Sequence, residues 1–340
     1  MPIGEGRMVP RFASGCLLVY CGAPRHDQAF PAHLPCIAHP PGAATPDRMT
    51  RQLKHHGRYP YSAIGARRDY SWPGGRRLAV YLGFNIEHFS FGEGLGASIG
   101  PALPHPDVLN YSWRDYGNRV GVWRCLDVFE ELKLPAGVLI NTALYDYCPE
   151  VVAAFVKRGD ELIGHGHTNS ERQGEMPEAE ERRLLEYCRD RIARESGKPP
   201  AGWLSPWISE SLVTPDLLAE TGYRYTLNWC HDDQPVRFAT RGGPFWSIPN
   251  PQELNDIPMI VARQMDGRDF ADMIVDNFEE MAVQSRAQPL VMGIALHPYI
   301  VGQPYRLRHL RRALRHIASH RSVWFTTPGA ICSHVDALPA

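Results

Sequence analysis

The chain has 340 residues, of which 44% are hydrophobic, an ordinary share for a globular protein. Lys and Arg number 36 against 37 Asp and Glu, a net charge of −1, so bulk electrostatics offers nothing to nucleic acid or an anionic membrane. There is no apolar run of the roughly 18 residues a membrane-spanning helix needs.

Residues 1–48 hold eight prolines and three cysteines and show no hydrophobic period. We expect a Pro-rich leader there, disordered or irregular, with the functional domain running over 49–340. The cysteines (Cys16, Cys21, Cys36, Cys125, Cys148, Cys188, Cys230, Cys332) are scattered without a CxxC pair. That reads as free thiols rather than bridges or a zinc knuckle, and so as a cytoplasmic protein.

From Arg77 onward strand and helix patterns alternate. Leu78 to Ile86 is an apolar strand. Tyr116 to Leu132 has helical periodicity, with Val120, Trp123, Leu126, Val128 and Phe129 suited to a buried face. Ala136 to Asn141 is a strand, then a helix opens at Pro149 and closes at Gly159. Glu161 to Gly164 is a short strand, and a charged helix runs from Pro177 to about Ser196. Strands at Gly202 to Pro206 and Tyr225 to Trp229 flank a helix at Thr214 to Glu220. Phe245 to Ile248 is extended, Phe270 to Ser285 helical, and Leu290 to His297 a strand. A basic amphipathic helix, Arg306 to Ser319, and a strand, Val323 to Thr326, complete the series. This alternation predicts an α/β fold with mostly parallel strands, wound into a barrel. The arginines of the basic helix read as a solvated face, not a nucleic-acid site.

Three apolar strands end in polar groups: Glu87-His88, His165-Gly166-His167 and His297-Pro298. Strand ends are where α/β enzymes place chemistry, so one polar site on one rim is expected. A carboxylate such as Glu87 can act as a general base, and a histidine such as His297 can carry a proton near neutral pH. His165 and His167 share a face if the segment stays extended, whereas a turn at Gly166 would separate them. Asn169 is placed to hydrogen-bond a substrate. Trp207 and Trp229 are candidates to wall one, and Asp233 and Glu253 lie in softer polar clusters. Gly96-Ala97-Ser98-Ile99-Gly100 spells G-x-S-x-G, but it lacks the strand before and the helix after that a nucleophile elbow requires.

These residues resemble the polysaccharide deacetylase superfamily, the NodB-type fold, from about Tyr59 to Val335. The matching pieces are Asn85-Ile86-Glu87-His88, Tyr116 to Arg124, Asp160 to Gly166, Asp232-Asp233-Gln234-Pro235, Glu253-Leu254-Asn255-Asp256, and Leu296-His297-Pro298-Tyr299 with Gly302 to Arg306. The similarity is strongest to the branch holding metal-independent allantoinase, cyclic-imide hydrolases and some peptidoglycan deacetylases. The resemblance implies a distorted (β/α) barrel, hydrolysis of a non-peptide carbon–nitrogen bond, and a homo-oligomer, dimer or tetramer. It puts Glu87 at the base position, His88 at a metal-ligand position and His165 at the first histidine, with Asn169 replacing the second. Either no metal is used, or His88 and His165, with His167 or Asn169, hold a weakly bound divalent ion, zinc first. The resemblance thus implies an amide or cyclic-imide hydrolase with Glu87 as base, His297 as acid and His165 beside them. Its rivals are a metal-dependent N-deacetylase of an acetylated amino sugar or peptidoglycan, and a catalytically degenerate binding protein.

Overall fold

In the computed structural model of the chain, the structure describes residues 53–339. The expected leader over 1–48 lies outside the described residues. The fold is that of the unit His55–Ala340.

The first strand, β1 (Leu78–Ile86), is buried over its whole length. Its alternation sorts side chains between two cores. Leu78, Val80, Leu82, Phe84 and Ile86 face the outer helices, while Ala79 and Tyr81 face inward. There follow α1 (Val108–Tyr116), a π-turn at Gly117–Gly121 and α2 (Val122–Leu132). Then come β2 (Ala136–Ile140), the short α3 (Leu144–Tyr147), α4 (Pro149–Arg158) and β3 (Glu161–Gly164). Next are α5 (Glu178–Ser196), β4 (Gly202–Trp203), α6 (Thr214–Glu220) and β5 (Tyr225–Thr226). A hairpin of β6 (Val236–Phe238) and β7 (Phe245–Ser247) leads to a second π-turn, Ile257–Ala262, and then α7 (Gly267–Gln284). The chain ends with β8 (Leu290–Leu296), α8 (Pro298–Val301), α9 (Pro304–Ala318), β9 (Val323–Thr326) and α10 (Pro328–Asp336).

The sheet order is β6-β7-β5-β4-β3-β2-β1-β8, with β9 also pairing β1. Every pairing is parallel except β6 with β7. The sheet curls until β8 meets the segment after β7 through a bridge, Asn255 with Ala295, and the segment after β5 through a bond from Val291 N–H to the Asp233 carbonyl at 2.9 Å. Irregular chain rather than strand spans that seam, so the fold is a distorted (β/α) barrel. Its lower end is plugged by Ile331, Cys332 and Val335 of α10 together with Trp72.

Register sets the rim. Ile86 lies opposite Ile140, and Ile140 opposite Gly164, so the next residues of each strand, Glu87, Asn141 and His165, emerge level. Phe84 is opposite Leu296, which brings His297 alongside.

Several boundaries differ from the sequence expectation. The first helical region begins at Val108, capped by Asp107, whose carboxylate accepts the Asn110 N–H at 3.2 Å. β4 and β5 stop early because the Ser205 N–H bonds the Asn228 side chain instead of a neighbouring strand. The basic face of α9 is neutralised locally: Arg311 and Arg315 pair with Glu131, and Arg312 with Asp272.

Candidate active site

Glu87, His165 and His297 meet in one cavity of about 300 Å³ at the barrel's upper end. All three are at least 95% buried. Glu87 Oε1 lies 3.4 Å from His165 Nε2 and 3.5 Å from His297 Nε2. The same oxygen accepts from Asn169 Nδ2 at 2.6 Å, and Oε2 accepts from the Tyr299 hydroxyl at 3.0 Å.

The backbone around this carboxylate is held by side-chain amides. Asn118 donates to the Glu87 carbonyl at 2.8 Å. Asn141 accepts the His88 N–H at 2.7 Å and donates to Asn169 Oδ1 at 3.0 Å and to the His165 carbonyl. One asparagine at the end of β2 thus fixes the ends of β1 and β3 together.

His165 gives its Nδ1–H to the Leu204 carbonyl at 2.7 Å, which leaves Nε2 facing Glu87. His297 is held by Asp256, whose carboxylate accepts Nδ1–H at 2.6 Å and the His297 backbone N–H at 2.8 Å. Burial pushes the Glu87 carboxyl up, but the charge and hydrogen bond of the His297 imidazolium lead the opposing pull and hold it below the usual carboxylate range. Burial pulls His297 down, yet Asp256 and Glu87 together hold it well above an ordinary histidine. Burial also raises the Asp256 carboxyl, against the pull of His297. The resting site is therefore a carboxylate beside an imidazolium.

The walls are mostly apolar. They include Phe89, Leu139, Leu204, Leu227, Ile257, Pro258 and the exposed Trp207. Trp207 and Ile208 both adopt positive φ, at 61° and 52°, a strained pair for non-glycine residues. The Trp207 indole N–H anchors this turn to the Asn169 carbonyl at 2.8 Å. No lysine or arginine lines the cavity.

Other candidate residues lie elsewhere. His88 follows Glu87 on the opposite face of the strand and packs its ring on Tyr147, 5.0 Å away. Gly166, with φ of 74°, turns the chain, so His167 points away and bonds Thr142 Oγ1 at 3.0 Å. Trp229 belongs to an outer aromatic cluster with His56 and Phe238. Asp233 lines a separate cleft with Tyr59 and Arg67, and Glu253 is exposed. In its place Gln252, Asn250 and Asn255 reach the cavity. Among the members of the site, Asp256, Tyr299 and Asn141 were not singled out from the sequence, although Glu253-Leu254-Asn255-Asp256, Leu296-His297-Pro298-Tyr299 and the strand ending at Asn141 contain them.

The donor set does not suit a catalytic metal. Such a site needs three firm ligands with free lone pairs. Here His88 faces away, Asn169 presents an N–H rather than its oxygen, and His297 is held as an imidazolium. Among the described residues no group of three His, Cys, Asp or Glu side chains is arranged to hold an ion. No helix among them is long and apolar enough to cross a membrane.

Glycines couple this site to the helices behind it. A Cβ on Gly121 would stand 2.1 Å from the Pro298 carbonyl oxygen, and one on Gly117 would stand 2.8 Å from the Tyr299 nitrogen. The π-turn therefore presses directly on the segment that carries His297 and Tyr299.

Residues 111–226 match the polysaccharide deacetylase family model. A Schizosaccharomyces pombe protein described as a polysaccharide deacetylase is 27% identical over 75% of this chain and 84% of its own. The Helicobacter pylori peptidoglycan deacetylase is 24% identical over 62% of this chain and 82% of its own. Among solved structures, that of Puue allantoinase superposes with a TM-score of 0.72 at 27% identity, covering 82% of this chain and 98% of that one.

Proposed function

We propose that this chain, a relative of the polysaccharide deacetylases and a hydrolase of non-peptide carbon–nitrogen bonds, acts on a small neutral amide, and specifically a cyclic amide or imide. The observation that carries the reading is the carboxylate of Glu87 set between His165 and His297 in a largely apolar cavity of about 300 Å³ that, among the described residues, has no lysine or arginine in its lining. A polymer would call for an open groove, whereas a small ring fits a chamber of this size.

The chemistry follows from the proton inventory. Two acceptors, Glu87 Oε1 and His165 Nε2, face each other at 3.4 Å. A water lodged against both donates one O–H to each. Glu87, held ionised, takes a proton as the water oxygen attacks the carbonyl. The C–N bond then breaks as His297 Nε2–H protonates the leaving nitrogen. Glu87 now holds one proton too many and His297 one too few; they are 3.5 Å apart, so the proton returns directly. Asp256 keeps His297 oriented and charged, and Tyr299 and Asn169 hold the Glu87 carboxylate in place. The residues run this cycle without a metal-bound step. Assembly as a homo-oligomer and a reducing, cytoplasmic setting belong to the same reading. They are supported by exposed Phe91, Ile99, Leu103 and Val108 and by described cysteines that are free thiols.

The test is a hydrolysis screen over allantoin, hydantoins, cyclic imides and acetylated amino sugars. Turnover of a cyclic substrate is expected, with Glu87→Gln and His297→Ala each losing about 10²–10⁴ in rate. Turnover confined to acetylated sugars and abolished by chelator would instead establish the metal-dependent deacetylase.

A further inference from the structure

Five carboxamide side chains line the cavity: Asn85, Asn169, Asn250, Gln252 and Asn255. Three have both ends engaged by protein, and a fourth, Asn250, has a hydroxyl near its oxygen. Asn169 donates to Glu87 and accepts from Asn141. Asn250 donates to the Leu227 carbonyl at 2.9 Å, and its Oδ1 has only a long contact, 3.4 Å, with the Tyr81 hydroxyl, which gives its proton to the Pro249 carbonyl at 2.6 Å. Asn255 accepts the Ile257 N–H at 3.0 Å and donates to Gln252 Oε1 at 3.3 Å, and Gln252 donates in turn to the Asn250 carbonyl at 3.4 Å.

Asn85 is different. Its only bond among the described residues is one amide hydrogen given to the Leu296 carbonyl at 3.3 Å. That bond fixes the orientation, because the flipped amide would set two oxygens against each other. No protein donor among the described residues reaches Oδ1, and although the residue is 98% buried this atom stays open to the cavity. A carboxamide oxygen that faces a cavity with no protein donor is an acceptor open to whatever fills that cavity.

Its position explains what the donor is. Asn85 lies two residues before Glu87 on the same inward face of β1, about 7 Å down the strand. Gly83 lines the cavity a further step down, so the chamber extends past Asn85 rather than ending at the base. A ring whose carbonyl meets the Glu87 water places its adjacent atoms toward Asn85.

We infer that Asn85 Oδ1 accepts the ring N–H of the substrate, so that the site selects N-unsubstituted imides or ureides over their N-alkylated counterparts. This rests on the cyclic-amide reading and adds to it the recognition of the nitrogen. A site built to pair a substrate N–H discriminates strongly against an analogue that lacks it, because the buried partner is left unpaired.

The test measures dissociation constants of succinimide and N-methylsuccinimide by calorimetry, in the Glu87→Gln protein to prevent turnover. Succinimide should bind at least about tenfold more tightly. Adding Asn85→Leu should bring the ratio close to one, while Asn85→Asp, which keeps an acceptor there, should preserve most of the preference. A structural role for Asn85 would weaken both ligands equally, and a ratio that Asn85→Leu leaves unchanged overturns the inference, as does failure of succinimide to bind. The outcome is separable from that of the hydrolysis screen. A preference that tracks Asn85 in a protein with no hydrolytic turnover would retire the reaction but not this contact, and turnover without the preference would do the reverse.

Discussion

Replacing Asp256 by Asn removes the negative charge that holds His297 as an imidazolium, while keeping nearly the same shape. The two side chains are in contact at 2.6 Å and Asp256 is fully buried. With charge centres about 4 Å apart and an effective dielectric of about 20, their attraction is about 4 kcal/mol. At 1.36 kcal/mol per pH unit, that sets a ceiling of about three units on the loss. Glu87 remains on the other side of the ring and still favours the imidazolium. We therefore expect the alkaline limb of the kcat/KM profile to move toward acid by about one to three units. The amide nitrogen of the new Asn can also donate toward Nδ1, favouring the wrong tautomer, so the plateau should fall by about 10²–10⁴. The assay is a full pH–rate profile of D256N beside the parent on the same substrate. Because the limb position is read from the shape of the curve, partial loss of folded protein does not disturb it. An alkaline limb that stays in place would refute His297 as the acid.

Further outcomes rest on the same geometry. His88→Ala should keep at least a third of the activity, because the imidazole packs on Tyr147 outside the cavity; steady-state kinetics with and without chelator checks this, and a large loss in either arm would restore a ligand role. Glu87 should also stabilise the fold in a pH-dependent way. Its folded pKa is depressed, so its contribution is present above the unfolded carboxylate value, about 4.3, and is lost as pH falls through the lower folded value. The difference in thermal midpoint between the parent and E87Q should accordingly shift toward E87Q as the pH drops below about 4. The raised pKa of His297 owes more to Asp256 than to Glu87, so only its Glu87 part overlaps with this contribution.

Much of the architecture could be read from hydrophobic pattern alone. β1 and β8 are runs of buried residues long enough to be unmistakable, and their ends located Glu87 and His297. The side chain of His88 packs on Tyr147 instead of lining the cavity of Glu87. Consecutive residues on a strand face opposite ways, but β1 ends at Ile86, so the rule alone does not place His88. For His167 the same counting fails, since Gly166 turns the chain and spoils the parity. Trp229 and Asp233 were harder, because β5 ends at Thr226 and no period governs the irregular chain beyond it. Asp256 reaches His297 across 41 residues of sequence through a tertiary contact, which no local pattern encodes.

The glycines of the π-turn carry a lesson for anyone redesigning this scaffold. Exchanging glycine for alanine inside helical segments is a common route to a hardier protein. At Gly121 the added methyl would collide with the Pro298 carbonyl and lever the neighbouring histidine out of line. Libraries aimed at heat tolerance should leave this turn untouched, since damage there would surface as dead enzyme with an intact-looking pocket.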